Sequence, residues 1–411
     1  MADGVNRSGL TESRATLTGP GAHWTQAGRS LAGACAAHML HDGYTDQLYV
    51  LLPVWQSQFG LSYTGLALLR LLYSGTMGLL QIPGERRLER LDGRIALTLV
   101  TLVAAAGYLA VALSPGLVVL CAGLVLGGIG SSVQHPRGSF LVTQAYGRAA
   151  RGPLGIYNFA GDLGKACLPA LVAASIPALG WRPAVGGTAA LGLVAAGAIM
   201  LIIPPGAGRG RTLPAAGPAA GQAKAGGGFG LLLAIGALDT APRMGYLLFL
   251  PFLVRARGGS EAATGLALAL LFIGGAFGKA ACGWLGARLG VVLSVVATEA
   301  ATALLIATSL LLPLDALLAV LPLLGIALNG TSSVLYGTVP DLAPKGEISR
   351  AFASFYTGVI LMGGIAPIFY GALADHTSRT VALAAASLTA AAIVPLVVML
   401  KPALARTAGG T

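Results

Sequence analysis

The stretch that decides the fold runs His38-Met39-Leu40-His41-Asp42-Gly43-Tyr44-Thr45-Asp46-Gln47-Leu48-Tyr49, within an otherwise apolar segment of about residues 31–55. Such a segment is long enough to cross a bilayer as a helix. At 100° per residue its polar side chains fall on one side; they are His38, His41, Asp42, Thr45, Asp46 and Tyr49. Charge near the middle of a bilayer is costly, so this side must face a protein interior or a water-filled cavity. The stretch therefore predicts a functional site inside a membrane protein.

The composition indicates the same class of protein. Of the 411 residues, 55% are hydrophobic and only 10% are charged, whereas a soluble domain has about 25% charged residues. The net charge of +11 lies mostly in alternate loops, which is a topology signal and argues against a nucleic-acid partner. The cysteines fall inside apolar segments, so they predict neither disulfides nor a metal site; they are Cys35, Cys121, Cys167 and Cys282.

Twelve apolar segments can be drawn along the chain. The predicted spans are 30–56, 61–83, 95–114, 117–144, 153–178, 183–204, 230–254, 261–285, 289–312, 315–340, 349–374 and 379–401. An Ala/Gly/Pro-rich linker, 205–228, separates two six-helix units at 29–204 and 229–402. Residues 1–28 and 403–411 are expected to be tails, the first of them disordered. Most Lys and Arg residues lie on the side of both tails and the linker, which predicts cytoplasmic termini.

The two units repeat each other. Thr64-Gly65-Leu66-Ala67-Leu68 recurs as Thr264-Gly265-Leu266-Ala267-Leu268, and Ser131-Ser132-Val133 recurs as Ser332-Ser333-Val334. Pro53 and Pro169 match Pro251 and Pro367 at a similar offset. Two parallel six-helix repeats resemble the architecture of the major facilitator superfamily, in which substrate binds between the halves near mid-membrane. The predicted fold is therefore an all-α polytopic membrane protein with twelve transmembrane helices in two pseudo-symmetric bundles.

The loop between the second and third spans, residues 84–94, resembles the Gly-x-Leu-Ala-Asp-Arg-x-Gly-Arg pattern of that superfamily, with one extra residue. Glu89 or Asp92 would supply the acid. The residues expected to latch one conformation are Gly84, Glu89, Arg90, Gly93 and Arg94. The alternative is an ordinary solvated, positive loop.

Ionisable side chains in the first and fourth spans predict proton binding. Asp42 and Asp46 are the expected proton carriers, with His41 and His135 as assistants, because buried carboxyl groups and histidines can change protonation near neutral pH. Two alternatives remain open. One is a cluster that only ties helices together, and the other is a metal site formed by His38, His41, Asp42 and Asp46.

Buried cations predict an anionic substrate. Arg70 is alone among apolar residues of the second span and is expected to pair with Asp42 or Asp46, whereas Lys165 lies three residues after Asp162 and can pair with it. Asp239 and Arg243, four apart, are also expected to pair. The remaining expected substrate contacts are Gln134, Tyr157, Asn158, Asn329, Tyr336 and Tyr356. Lys279 and Glu299 are expected to bridge helices without a direct role, and Arg137 to reach the cytoplasmic face.

Several motifs together resemble the fosmidomycin-resistance family of major facilitator transporters. They are His41-Asp42-Gly43 with Asp46 and Leu52-Pro53, then Leu80-Gln81-Ile82-Pro83, Gln134-His135-Pro136, and Tyr157-Asn158-Phe159-Ala160-Gly161-Asp162-Leu163-Gly164-Lys165. The resemblance implies a drug exporter of the cytoplasmic (inner) membrane that is driven by the proton gradient. It does not imply that fosmidomycin is the substrate.

These observations predict a secondary active transporter that exports a small polar, anionic compound in exchange for protons, by alternating access. The alternatives are a transporter of a metal ion or metal chelate and an uncoupled facilitator. A membrane enzyme or sensor is disfavoured because no nucleotide-binding loop, nucleophile elbow or metalloprotease pattern is present. The expected partners are the substrate, protons and lipid; no cofactor is expected, and the protein is expected to act as a monomer.

Overall fold

Long apolar runs become long helices in the computed structural model, which describes residues 25–210, 228–344 and 348–408. None of the described residues forms a strand. The helices of the first half are α1 (Gln26–Phe59), α2 (Tyr63–Leu88), α3 (Gly93–Ala112), α4 (Leu117–Ser131), α5 (Gln134–Tyr146), α6 (Arg151–Leu179) and α7 (Trp181–Ile202). Those of the second half are α8 (Phe229–Ala256), α9 (Glu261–Ser309), α10 (Leu314–Leu342), α11 (Ile348–His376) and α12 (Arg379–Ala408).

Eleven helical segments among the described residues are long and apolar enough to cross a membrane. In this set, α4 and α5 form one segment and α9 forms two. Helix α1 is not in the set, although it has 34 residues, because its histidines and carboxylates lower its hydropathy. With α1 there are twelve spans, and the predicted fold class is confirmed.

The helices depart from the predicted spans in two places. The predicted fourth span, 117–144, is broken between Ser131 and Gln134, so that α5 restarts just before the His135-Pro136 pair. The predicted eighth and ninth spans follow each other without a loop, and the chain turns at Gly290, which has φ 75° and ψ 168°. A positive φ of this kind is readily adopted only by glycine.

The predicted tails and linker need correction at their edges. Helix α1 already begins at Gln26, inside the expected disordered tail, because the Thr25 side chain accepts a hydrogen bond from Gly28 N and caps it. At the other end α12 continues to Ala408, beyond the predicted boundary at 402. Residues 205–210 of the linker pack against the first half, as described below. The rest of the predicted tails and linker, 1–24, 211–227 and 409–411, lies outside the described residues.

Glycines bring α1 and α6 close together. A Cβ atom at Gly164 would lie 1.9 Å from the Met39 carbonyl oxygen, and one at Gly43 would lie 2.8 Å from Leu168 Cβ. Only glycine fits such a backbone approach. The contact matters for function because it sets Asp42 of α1 beside Asp162 and Lys165 of α6.

The two halves meet at the end of the bundle remote from the linker, which we call the distal end. There the Asp375 carboxylate, near the end of α11, accepts hydrogen bonds from Tyr63 N (2.7 Å) and Thr64 N (2.9 Å) at the start of α2. The Tyr63 ring also packs edge-on against Phe249 and Phe252 of α8. These contacts join the first half to the second.

Candidate functional site

Asp42 lies at the centre of a charged cluster between α1, α5 and α6. Its Oδ1 is 3.3 Å from His135 Nε2, and its Oδ2 is 3.3 Å from His38 Nε2 and 3.1 Å from Lys165 Nζ. Asp42 is only 5% exposed, so the ion pair with Lys165 compensates a carboxylate that water hardly reaches. The intramembrane carboxylate predicted from the first span is thus held by groups from three helices.

His38 is oriented by Tyr157 of α6. Its Nδ1 lies 2.8 Å from the Tyr157 carbonyl oxygen, and the two rings stack with centroids 4.1 Å apart. A carbonyl oxygen can only accept, so Nδ1 carries the hydrogen and donates it. The other ring nitrogen, Nε2, therefore points at Asp42.

The cluster continues from Asp42 into the second half of the molecule. Lys165 Nζ is 3.6 Å from Asp162 Oδ1, as the three-residue spacing predicts. Asp162 in turn accepts from Lys279 Nζ of α9 at 2.6 and 2.7 Å through its two oxygens. Asp162 therefore joins a lysine of its own helix to a lysine of the opposite half.

Lys279 is the site residue that sequence reasoning set aside. It is separated from Asp162 by 117 positions, so no helical spacing connects them. The one available signal is its lysine charge within an apolar span, and such residues face the interior of a bundle.

His41 does not join the cluster, although it was predicted beside Asp42. Its Nδ1 is 2.9 Å from Ser131 Oγ and its Nε2 is 3.1 Å from Thr101 Oγ1, so the ring lies between α1, α3 and α4. The rotation of α1 about its axis places it there. Among the described residues, the group that could hold a metal is consequently His38, Asp42 and His135, which corrects the predicted ligand set.

Asp46 is buried, with 7% exposure. Among the described residues, its carboxylate makes neither a hydrogen bond nor an ion pair. The Asp46 carboxyl group interacts electrostatically with Lys165 and Arg70. The expected ion pair between Arg70 and Asp46 is not formed. Arg70 instead donates to the Thr45 carbonyl and to Tyr49 Oη at 2.9 Å, and its guanidinium stacks 4.2 Å over the Tyr49 ring.

Of the other substrate contacts predicted in the first half, two lie next to the Asp42 cluster and one does not. Gln134 Nε2 donates to Tyr157 Oη at 3.1 Å, and both residues are buried next to the Asp42 cluster. Asn158 is exposed and belongs to another face of α6.

The predicted Asp239–Arg243 ion pair is not formed. Arg243 Nη2 instead contacts Thr240 Oγ1 at 3.3 Å, whereas the Asp239 carboxyl group interacts electrostatically with Glu299 of α9. Glu299, which was expected to bridge helices, thus lies near a carboxyl group of α8.

The remaining predicted residues of the second half lie apart from the Asp42 cluster. The Tyr336 and Tyr356 rings lie 4.9 Å apart between α10 and α11. Asn329 Nδ2 donates within its own helix to the Gly325 carbonyl at 3.2 Å.

Two acids of the predicted conformational loop, Glu85 and Asp92, make ion-pair and hydrogen-bond contacts. Glu85 Oε1 is 2.6 Å from Arg137 Nη2, and Arg137, fully buried rather than reaching a membrane surface, also donates to the Gly208 carbonyl at 3.1 Å. Asp92 caps α3 by accepting from Arg94 N and accepts from Gly206 N.

Two of the predicted loop glycines lie in close contacts. A Cβ at Gly84 would lie 2.7 Å from Val133, and one at Gly93 would lie 2.9 Å from the Ala207 carbonyl oxygen. Arg90, also predicted in the loop, lies in the turn between α2 and α3. The start of the linker is therefore packed on this loop.

Comparison with known proteins decides the family. The sequence model described as Major Facilitator Superfamily matches twice, at residues 34–238 and 232–410. The chain belongs to the major facilitator superfamily. The first match includes most of the predicted first unit and extends through the linker, and the second includes most of the predicted second unit. The protein is therefore a multi-pass membrane transporter.

Solved structures support the fold. Two structures of a bacterial homologue of the human lysosomal transporter Spinster, both inward-facing, are similar to this chain. The occupied form has TM-score 0.67 and 16% identity, and the match covers 93% of this chain and 96% of the other. The unoccupied form has TM-score 0.68 and 18% identity, with 93% and 97% covered. No curated protein sequence matches the chain.

Proposed function

We propose that this transporter exports a small anionic compound across the cytoplasmic membrane in exchange for protons. The observation that carries the proposal is the position of Asp162 between Lys165 of its own helix and Lys279 of the opposite half. A carboxylate that bridges two lysines occupies the place of an anionic ligand. A substrate anion can compete with it for the same two ammonium groups.

Competition for the lysines gives binding a conformational consequence. The Asp162–Lys279 contact is a direct tie between the halves, and an anion that takes Lys279 from Asp162 breaks it. Since the distal end is already joined through Asp375 and Tyr63, we infer that the cavity opens toward the linker, on the cytoplasmic side. Alternating access then requires the distal contacts to break after the anion has bound.

Arg70 and Arg243 extend the cationic surface. Neither forms an ion pair with a carboxylate among the described residues, and the Arg243 Nε atom is buried without a hydrogen-bond partner. An intramembrane guanidinium without a carboxylate partner attracts anions. Both arginines would hold the substrate during its passage.

Asp46 best suits the proton-binding role. Asp42 is engaged by Lys165 and two histidines, and His41 is held by two hydroxyl groups, whereas Asp46 has no hydrogen-bonding or ion-pairing partner among the described residues. Desolvation without a partner favours the neutral, protonated form of a carboxyl group. For exchange with protons, the anion and the proton on Asp46 must occupy the cavity alternately.

A ligand screen tests the anion preference. Thermal unfolding of the purified full-length protein is measured at pH 6 and pH 8, in EDTA, with monophosphates, phosphonates and dicarboxylates and with uncharged amides of matched size. Ligands that bind only the native state raise the melting temperature. We expect stabilisation by one or more of the anions, lost in Lys165→Ala and Lys279→Ala but kept in Lys401→Ala, which alters an exposed lysine. Stabilisation by the neutral compounds alone, or unchanged stabilisation in both cavity variants, would refute the proposal.

A further inference from the structure

The contact between His38 and Asp42 sets two hydrogen-bond acceptors against each other. Because Nδ1 of His38 donates to the Tyr157 carbonyl, the neutral imidazole presents a lone pair at Nε2. That lone pair lies 3.3 Å from Asp42 Oδ2, which also only accepts. A metal ion between the two atoms would be bound by both of them.

His135 adds a third nitrogen or oxygen ligand to this pair. Its Nε2 is 3.3 Å from Asp42 Oδ1, and the His38 and His135 rings meet edge-on with centroids 4.9 Å apart. One ligand atom from each of the three residues lies within 4.8 Å of the others. In a tetrahedral site with metal–ligand distances of about 2.1 Å, neighbouring ligand atoms are about 3.4 Å apart. Each oxygen of Asp42 lies at about that spacing from one histidine nitrogen, Oδ2 from His38 and Oδ1 from His135.

We propose that His38, Asp42 and His135 bind a divalent transition metal ion. Two imidazoles and a carboxylate suit Zn²⁺, Co²⁺ and related ions, and three protein ligands leave a coordination position open. The hydrogen bond from His38 Nδ1 to a backbone carbonyl is the outer contact that typically orients a metal-binding histidine. The His135 side chain is 39% exposed, so an ion can reach the site. This inference goes beyond anion transport and does not rest on it.

Metal binding has a consequence for Lys165. The ion and the Lys165 ammonium group compete for Asp42 Oδ2, which Lys165 contacts at 3.1 Å. Lys165 has a second partner in Asp162 at 3.6 Å, so it can move without losing a counter-charge. Asp162 would then share its charge between Lys165 and Lys279 more evenly, which weakens the tie between the halves. The metal site is thereby connected to the opening of the cavity.

The test uses Co²⁺, whose visible d–d absorption reports its ligand environment. The purified full-length protein is freed of metal with EDTA, exchanged into chelator-free buffer and titrated with Co²⁺. We expect saturable binding of one ion per chain with tetrahedral-type absorption that Zn²⁺ reverses. In His38→Gln and His135→Gln the affinity should fall by at least about 10–100-fold.

Two matched controls separate loss of a ligand from loss of structure. His376→Gln alters an exposed histidine at the end of α11, and His41→Gln alters the neighbouring histidine that contacts Ser131 and Thr101. The His376 variant must bind Co²⁺ as the wild type does, and so must the His41 variant if its unfolding profile is unchanged. Absence of saturable binding, or binding that survives in both ligand variants, overturns the proposal. Because the anion screen is carried out in EDTA, its outcome is independent of this one.

Discussion

At the scale of single residues, Asp46 is the group on which coupling to protons depends. It is buried, interacts electrostatically with Lys165 and Arg70, and lacks a hydrogen bond or ion pair among the described residues. Replacing it by asparagine removes the exchangeable proton and preserves the shape of the side chain. The charge that changes during transport would then be absent.

We therefore expect Asp46→Asn to keep exchange of substrate for substrate across a proteoliposome membrane but to lose net transport driven by a pH gradient. Exchange needs no proton step, whereas net transport does. Asp315→Asn, which alters an exposed carboxylate in the first turn of α10, serves as the control. Gradient-driven transport at the wild-type rate in Asp46→Asn would remove Asp46 from the coupling mechanism.

The sequence predicted part of this site. Asp42, Asp162 and Lys165 are recognisable because charge inside an apolar span demands a function, and the Asp162–Lys165 pair follows from helical spacing. The position of His41 could not be predicted, because a helical wheel does not fix which side of α1 faces the cavity. The contact with Lys279 depends on the packing of two helices from different halves, about which spacing carries no information.

At the scale of helices, the close packing of α1 on α6 positions the cluster. Because a Cβ at Gly164 would lie 1.9 Å from the Met39 carbonyl oxygen, Gly164→Ala must push the two helices apart. Overpacking of this kind typically costs about 1–3 kcal/mol. We expect a lower melting temperature together with weaker ligand binding.

Gly155→Ala on the same helix is the matched control. A Cβ there meets no atom within 4 Å, and alanine favours a helix over glycine by up to about 1 kcal/mol. The control should be neutral or slightly stabilised in thermal unfolding. An equal effect of the two substitutions would show that the loss does not come from the contact between α1 and α6.

Helices were predicted better than their connections. Apolar runs fixed the twelve spans, since a backbone in lipid must satisfy its own hydrogen bonds. The turn at Gly290 lies two residues beyond the predicted connection, 286–288. The packing of residues 205–210 was missed because their composition indicates flexibility, whereas the contacts come from Arg137 and Asp92 far away in the chain.

At the scale of the whole molecule, the transport cycle requires the distal contacts to break. Asp375 ties α11 to the start of α2 by two hydrogen bonds to backbone N–H groups. A carboxylate at a helix start is also favoured by the helix dipole. We expect Asp375→Asn to populate a state with an open distal end, seen as faster hydrogen exchange over residues 60–66.

Ser378→Ala is the control for this prediction. Ser378 caps α12 at the same end of the molecule, by accepting from Val381 N within the second half, so its loss should accelerate exchange only at the start of α12. If Asp375→Asn leaves exchange over residues 60–66 unchanged, Asp375 does not hold the halves together.

The architecture itself was predictable because the repeats share one offset and the family match covers each of them. The fold does not determine the chemistry of the substrate, because one arrangement of twelve helices can carry different residues in its cavity. Its charge is inferred from the lysines around Asp162.

The most direct test of coupled anion export is a simultaneous measurement of anion flux and luminal pH. Proteoliposomes containing the wild-type protein, an entrapped pH indicator and the anion that most stabilises it are diluted into anion-free buffer. Proton-coupled exchange predicts that anion efflux is accompanied by acidification of the lumen. It also predicts that anion efflux is faster when the external buffer is more acidic than the lumen. Efflux that leaves luminal pH unchanged and ignores the gradient would contradict the account and identify the protein as an uncoupled facilitator.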